Sequence, residues 1–125
     1  MNKLDLRLLD IKTLTEQDVL DYCQLNNINI NKITHLDLGY NELTDISGIK
    51  LFKNLKTLYL ECNKNKLKDI SVIPNLNKLK KLSIINLNLE SDQIQYLKNI
   101  KTLYCREGFK DMSVLKQLNN IQKYY

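Results

Sequence analysis

The sequence predicts an α/β solenoid: a right-handed coil of short repeats with a parallel β-sheet along its concave face and a helical cap at the N-terminus. Three observations carry this prediction. The stretch ITHLDLGYNELTDISGIKLFKNLKTLYL, residues 33 to 60, has a spacing of apolar residues that recurs downstream. The first apolar position of each unit falls at Ile33, Leu55, Leu79, Ile100 and Ile121, so successive units are 22, 24, 21 and 21 residues long, a period that belongs to stacked repeats. Each unit also carries a strand-like alternation, Leu36-Asp37-Leu38, Leu58-Tyr59-Leu60, Leu82-Ser83-Ile84 and Leu103-Tyr104-Cys105, which sends the apolar residues inward and the middle residue outward. A single unit cannot bury its leucines, so neighbours must stack into one continuous core.

At 125 residues the chain has room for one domain, divided into an N-terminal segment, residues 1–32, and repeats over 33–125, about four units plus a partial fifth strand. In the first segment, Thr15 is placed to cap the amide of Asp18 and Leu14 to staple onto Val19, so a helix of about ten residues should follow. Its buried face would hold Val19, Leu20 and Cys23, and the Asn26, Asn27 pair would stop it. Ahead of it, Leu4, Leu6, Leu9 and Ile11 fit a degenerate first strand or a short helix equally well.

Within the repeats the motif LxxLxLxxNxLxDIS, about 22 residues long, resembles the leucine-rich repeat class of bacterial internalins and of a regulatory subunit of protein phosphatase-1. The resemblance covers residues 33 to 125. It implies 3₁₀ turns or short helices on the convex side and an asparagine that bridges backbone groups between coils. Asn41 and Asn63 match that asparagine, whereas Leu87 and Gly108 stand in its place later, so the ladder should lapse there. The extra residues around Asn63, Lys64, Asn65 and Lys66 imply a bulge after the second repeat strand. The segment LLDIKTLTEQDVLDYCQLNN also resembles the second half of an F-box. It leaves two readings of the N-terminus: a cap that covers the core, or a docking module of a substrate-recognition adaptor in protein ubiquitination.

Composition narrows the chemistry. The net charge of +5 is spread over lysines set between apolar positions, such as Lys53, Lys56, Lys78 and Lys80, which is a solvated surface and not a footprint for specific nucleic acid. Three cysteines, Cys23, Cys62 and Cys105, without CxxC spacing fit a reducing compartment. The first residues lack a signal-peptide pattern, and no run approaches the ~20 apolar residues of a membrane span. An intracellular, cytoplasmic protein that uses no membrane is expected. Asp45, Asp69 and Asp111, each followed by an apolar residue and Ser, are read as turn caps, because one Asp per loop is too few oxygens for calcium. One histidine, with no nucleophile elbow, no phosphate-binding glycine loop and no Cys/His cluster, leaves no enzyme site, cofactor or metal to propose.

What remains is a surface for another protein. The outward columns are His35, Thr57, Lys81 and Thr102; then Asp37, Tyr59, Ser83, Tyr104 and Tyr125; then Gly39, Glu61, Ile85 and Arg106. Tyrosine suits such a face because it offers large contact area with few rotors. Asp37 and Glu61 toward the N-terminal strands, and Lys81, Arg106 and Lys123 toward the C-terminal ones, predict an acidic-to-basic gradient. The sequence ends at Tyr124 and Tyr125 in an incomplete coil, an uncapped edge open to self-association. A regulatory subunit of an enzyme is the further reading that the phosphatase resemblance implies.

Overall fold

A computed structural model describes residues 2–63 and 66–125. Six three-residue strands form one open parallel sheet in which every strand pairs with its sequence neighbour. They are β1 (Lys3–Asp5), β2 (His35–Asp37), β3 (Thr57–Tyr59), β4 (Lys81–Ser83), β5 (Thr102–Tyr104) and β6 (Gln122–Tyr124). Between strands the chain returns along the other side through 3₁₀ turns at Ile30–Lys32, Ser47–Leu51, Ile73–Asn75, Ser91–Leu97 and Met112–Gln117, and through one α-helix, α1 (Glu16–Leu25). Short turns suffice from β2 onward, where successive strands start 22, 24, 21 and 20 residues apart; the first coil takes 32 and holds the helix.

The core is the stacked leucine column. Leu36, Leu58, Leu82 and Leu103 pair in register across β2 to β5 and have no exposed surface, and Ile33, Leu38, Leu55, Leu60, Ile84 and Cys105 are equally enclosed. Burying a side chain of this size contributes roughly 1.5–3 kcal/mol. Cys105 is thus a core hydrophobe, as its repeat position predicts.

Asn41 and Asn63 do the bridging expected of them. Asn41 Oδ1 accepts the amides of Leu9 and Ile11 at 3.0 and 3.1 Å, and its Nδ2 donates to Leu6 O and Leu38 O at 2.9 and 3.0 Å. Asn63 accepts the Leu43 amide at 3.1 Å and donates to Leu60 O at 2.6 Å. Where Leu87 and Gly108 replace the asparagine, backbone bonds join the coils in its place: Asn88 N donates to Glu107 O at 3.1 Å, Leu89 N to Gly108 O at 2.8 Å, and Lys110 N to Leu89 O at 2.9 Å. The ladder lapses, and direct amide-to-carbonyl bonds take its place. The expected bulge at Lys64 and Asn65 lies outside the described residues.

The N-terminal segment is a full turn of the solenoid. Of the stretch that fitted strand or helix, only its start is a strand: β1 pairs with β2, Leu4 opposite Leu36, and Leu4 and Leu6 join the common core, whereas Leu9 lies in a bend, 52% exposed, and Ile11 packs on the core only in part. α1 then runs on the side opposite the sheet and packs on the Ser47–Leu51 turn. Its start is a capping box in which Thr15 and Asp18 exchange bonds, and the Thr15 amide holds the Asp18 carboxyl below the usual range. Asn26 caps its C-terminus, and Asn27 turns the chain with φ of 54°. Val19 and Cys23 are buried as expected, but Leu20 is 46% exposed, because only a narrow stripe of the helix meets the turn below.

The C-terminal coil departs from the expected spacing by one residue. Ile121 predicts Tyr124 in the leucine column, yet β6 pairs with Leu103 opposite Lys123 and Tyr104 opposite Tyr124. The Lys123 ammonium folds over the end of the core and donates to Leu115 O at 3.0 Å and Leu118 O at 2.7 Å. These carbonyls lie at the end of the last 3₁₀ turn, which one charge-assisted donor thus caps, while β6 remains an edge strand of the open sheet. The slip also lets the Tyr124 ring stack on Tyr104, centroids 5.1 Å apart.

Candidate functional site

Strand alternation places one set of side chains on the outer face of the sheet, and the pairing puts them in rows. His35, Thr57, Lys81, Thr102 and Gln122 form the first; Asp37, Tyr59, Ser83, Tyr104 and Tyr124 form the second. Backbone bonds from Leu38, Leu60 and Ile84 to the carbonyls of Tyr59, Ser83 and Tyr104, followed by bonds to the carbonyls of Glu61, Ile85 and Arg106, carry the same register on through Gly39, Glu61, Ile85 and Arg106. The expected residues are therefore brought together, with one replacement. Tyr124 holds the place given to Tyr125, and Lys123 leaves the face for the core edge.

They do not contribute equally. Asp37, Thr57 and Ser83 are buried, His35 and Arg106 are exposed, and Tyr59, Glu61, Lys81, Ile85, Thr102 and Tyr104 are half-buried. Ser83 is 1% exposed because it lies between the tyrosine rows of β3 and β5, and its hydroxyl is 3.4 Å from Glu61 Oε2. Tyr59 and Tyr104 flank Ser83 in the row and enclose it, and the Tyr104 ring stacks on Tyr124, so this part of the face is an aromatic surface over a covered serine. With strands ~4.8 Å apart, the whole face spans about 24 Å.

The charge gradient is weaker than the residues of β2 to β6 suggest, because β1 adds Lys3, Asp5 and Arg7 to the acidic end. Arg7 reaches Asp5 at 2.8 Å and Asp37 at 3.5 Å. Its hydrogen bond pulls the Asp5 carboxyl down to about 2. Asp37 also accepts the Gly39 amide at 3.0 Å, so its charge is already engaged within the chain. Glu61, Lys81 and Arg106 make no ion pair among the described residues. Arg7 and Asp5 are missing from the expected set, although a signal existed: Leu4-Asp5-Leu6 repeats the Leu36-Asp37-Leu38 pattern.

The three aspartates of the convex side cap turns. Asp45, Asp69 and Asp111 accept the amides of Ser47, Ser71 and Ser113 at 2.8, 2.8 and 3.0 Å. None of the described helices is long and apolar enough to cross a membrane. The three cysteines are free thiols.

No curated protein matches the chain. Residues 31–75, which include β2, the Ser47–Leu51 turn and β3, match the family model described as leucine-rich repeats in two copies. Residues 31–75 are thus leucine-rich repeats, modules that generally mediate protein–protein interaction, and the same leucine column continues through β4 and β5 in one parallel solenoid.

Proposed function

We propose that the chain binds a partner protein, without catalysis, through the outer face of its sheet, and that the row Tyr59, Ser83, Tyr104 and Tyr124 anchors the contact. The single observation behind this reading is the tyrosine row: Tyr59 and the stacked Tyr104 and Tyr124 stand together on a face whose inner strands are paired on both sides. A helix about 10–12 Å wide or one extended segment fits a face of this width. Half-buried aromatics held by a sheet lose little freedom on binding, which is the usual character of hot spots.

Two further observations bear on alternatives. The apolar stripe of α1 is already spent on the Ser47–Leu51 turn, which favours the cap over an adaptor-docking module. Self-association by stacking β1 on β6 would enclose the Lys123 ammonium at a dry interface, so the C-terminal edge disfavours growth.

Against the partner protein, Tyr59→Ala and Tyr104→Ala should each raise Kd at least about fivefold, a loss of about 1 kcal/mol. Arg106→Glu should mainly slow association. Tyr104→Ala also removes a stacked pair, so it should cost about 0.5–1.5 kcal/mol of folding stability, whereas Tyr59→Ala should not. Titration calorimetry and thermal melts separate the two effects. Unchanged affinity in the double variant would overturn the assignment.

A further inference from the structure

A second surface lies beyond the sheet face, at the C-terminal ends of the strands. In every coil the fourth residue after the middle of the strand is left-handed: Leu8, Tyr40, Cys62, Asn86 and Glu107 have φ of 59°, 58°, 59°, 62° and 51°. The amides of Tyr40, Cys62 and Asn86 each donate to the next coil, at Glu61 O, Ile85 O and Arg106 O, 2.9 to 3.0 Å away. Repetition of one backbone state thus places Tyr40, Cys62, Asn86 and Glu107 in a row along the solenoid, about 14 Å long at ~4.8 Å per coil. That row forms one wall of a groove of about 710 Å³, which Asn88, Phe109, Lys110 and Met112 complete.

The polar groups in the groove are of the kind that reads a main chain. Asn88 makes no side-chain hydrogen bond among the described residues, and Asn86 makes only a long one, Nδ2 to Cys62 Sγ at 3.5 Å. Both amides can donate and accept. Tyr40, half exposed, and Met112 supply apolar contact. The charges are asymmetric: Lys110 is already neutralised by its ion pair with Glu90, while Glu107 is exposed and has no ion pair among the described residues.

We propose that this groove takes an extended peptide segment of a partner, about five residues long, whose main chain bonds Asn86 and Asn88, whose apolar side chain rests on Tyr40 at one end of the row, and whose basic side chain, four residues on, meets Glu107 at the other. An extended chain rises about 3.3 Å per residue, so residues four apart span about 13 Å, match the row, and point the same way. The site is separate from the tyrosine face and does not depend on it.

Cys62 is a built-in reporter, since it lines the groove half-exposed while Cys23 and Cys105 are buried. Its alkylation by iodoacetamide, followed by mass spectrometry on the full chain, is measured with two capped hexapeptides, Ser-Leu-Ser-Ser-Ser-Lys and the same with Glu for Lys. The lysine peptide at millimolar concentration should slow alkylation at least fivefold and the glutamate peptide should not. Glu107→Lys should reverse that preference, and Glu107→Gln, the milder change, should abolish it. The Tyr59→Ala, Tyr104→Ala double variant should keep the protection, which distinguishes this groove from the sheet face. No protection at 5 mM, or equal protection by both peptides, would overturn the proposal.

Discussion

Gly48→Ala should destabilise the protein by about 3 kcal/mol or more, the upper range for forcing an atom into a packed site. A β-carbon at this position would lie 2.2 Å from the Thr15 carbonyl oxygen, 2.3 Å from its carbon and 2.7 Å from the Glu16 nitrogen. All three are backbone atoms at the start of α1, so no side chain can swing away to make room. The helix itself must lift, and it would then break the 2.7 Å bond from Gly48 N to Leu14 O and unseat Val19 and Cys23. Gly39→Ala is the matched comparison, because the new carbon there would meet the side chains of Asp37 and Glu61 at 3.2 and 3.3 Å, and the next contact, the Glu61 carbonyl oxygen, is no closer than 3.4 Å. A melt should show Gly48→Ala lower by about 10 °C, or an early transition of the helix alone. Equal melting of the two variants would contradict the packing described.

Asn41→Ala should cost a similar amount, about 3 kcal/mol, by a different route. The side chain is 1% exposed and is the common partner of two amides in the first coil and of carbonyls in both the first and second coils. Each buried group left without a partner costs roughly 1–3 kcal/mol, and an alanine supplies none. Because coils in a solenoid lean only on their neighbours, the loss should be local. Amide exchange at Leu9 and Ile11 should rise sharply, while Leu82 and Leu103 in β4 and β5 stay protected. Unaltered exchange at Leu9 and Ile11 would show that the bridge is dispensable.

The leucine column was legible because core positions in a solenoid repeat with the coil, and position alone identified Cys105 as buried. The convex turns followed from Asp and Ser, whose side chains bond local amides wherever they fall. Both ends were harder for the same reason, that a terminal coil has a neighbour on one side only and relaxes its pattern. Lys3-Leu4-Asp5-Leu6 is too short for its period to be told from a helix, and only its likeness to Leu36-Asp37-Leu38 marks it as a strand. At the other end Lys123 occupies a leucine position, which no hydrophobic pattern can anticipate, since its aliphatic stem covers the core and its amine caps carbonyls. Gly48 gave no warning either, because its requirement is set by a helix thirty residues earlier in the chain. The left-handed row escaped notice because Leu8, Tyr40, Cys62, Asn86 and Glu107 share a backbone state and no chemistry; only Asn86 is a residue type that favours it.

The proposed contact surface for another protein is the outer face of the sheet. Site-specific photocrosslinking in cells tests it most directly, with a benzophenone amino acid placed at Tyr59 or Tyr104, and at Lys53 or Gln117 on the opposite side as comparison. A discrete adduct of the same mass is expected from both sheet positions and none from Lys53 or Gln117. Adducts from Lys53 or Gln117 with none from Tyr59 and Tyr104 would contradict it.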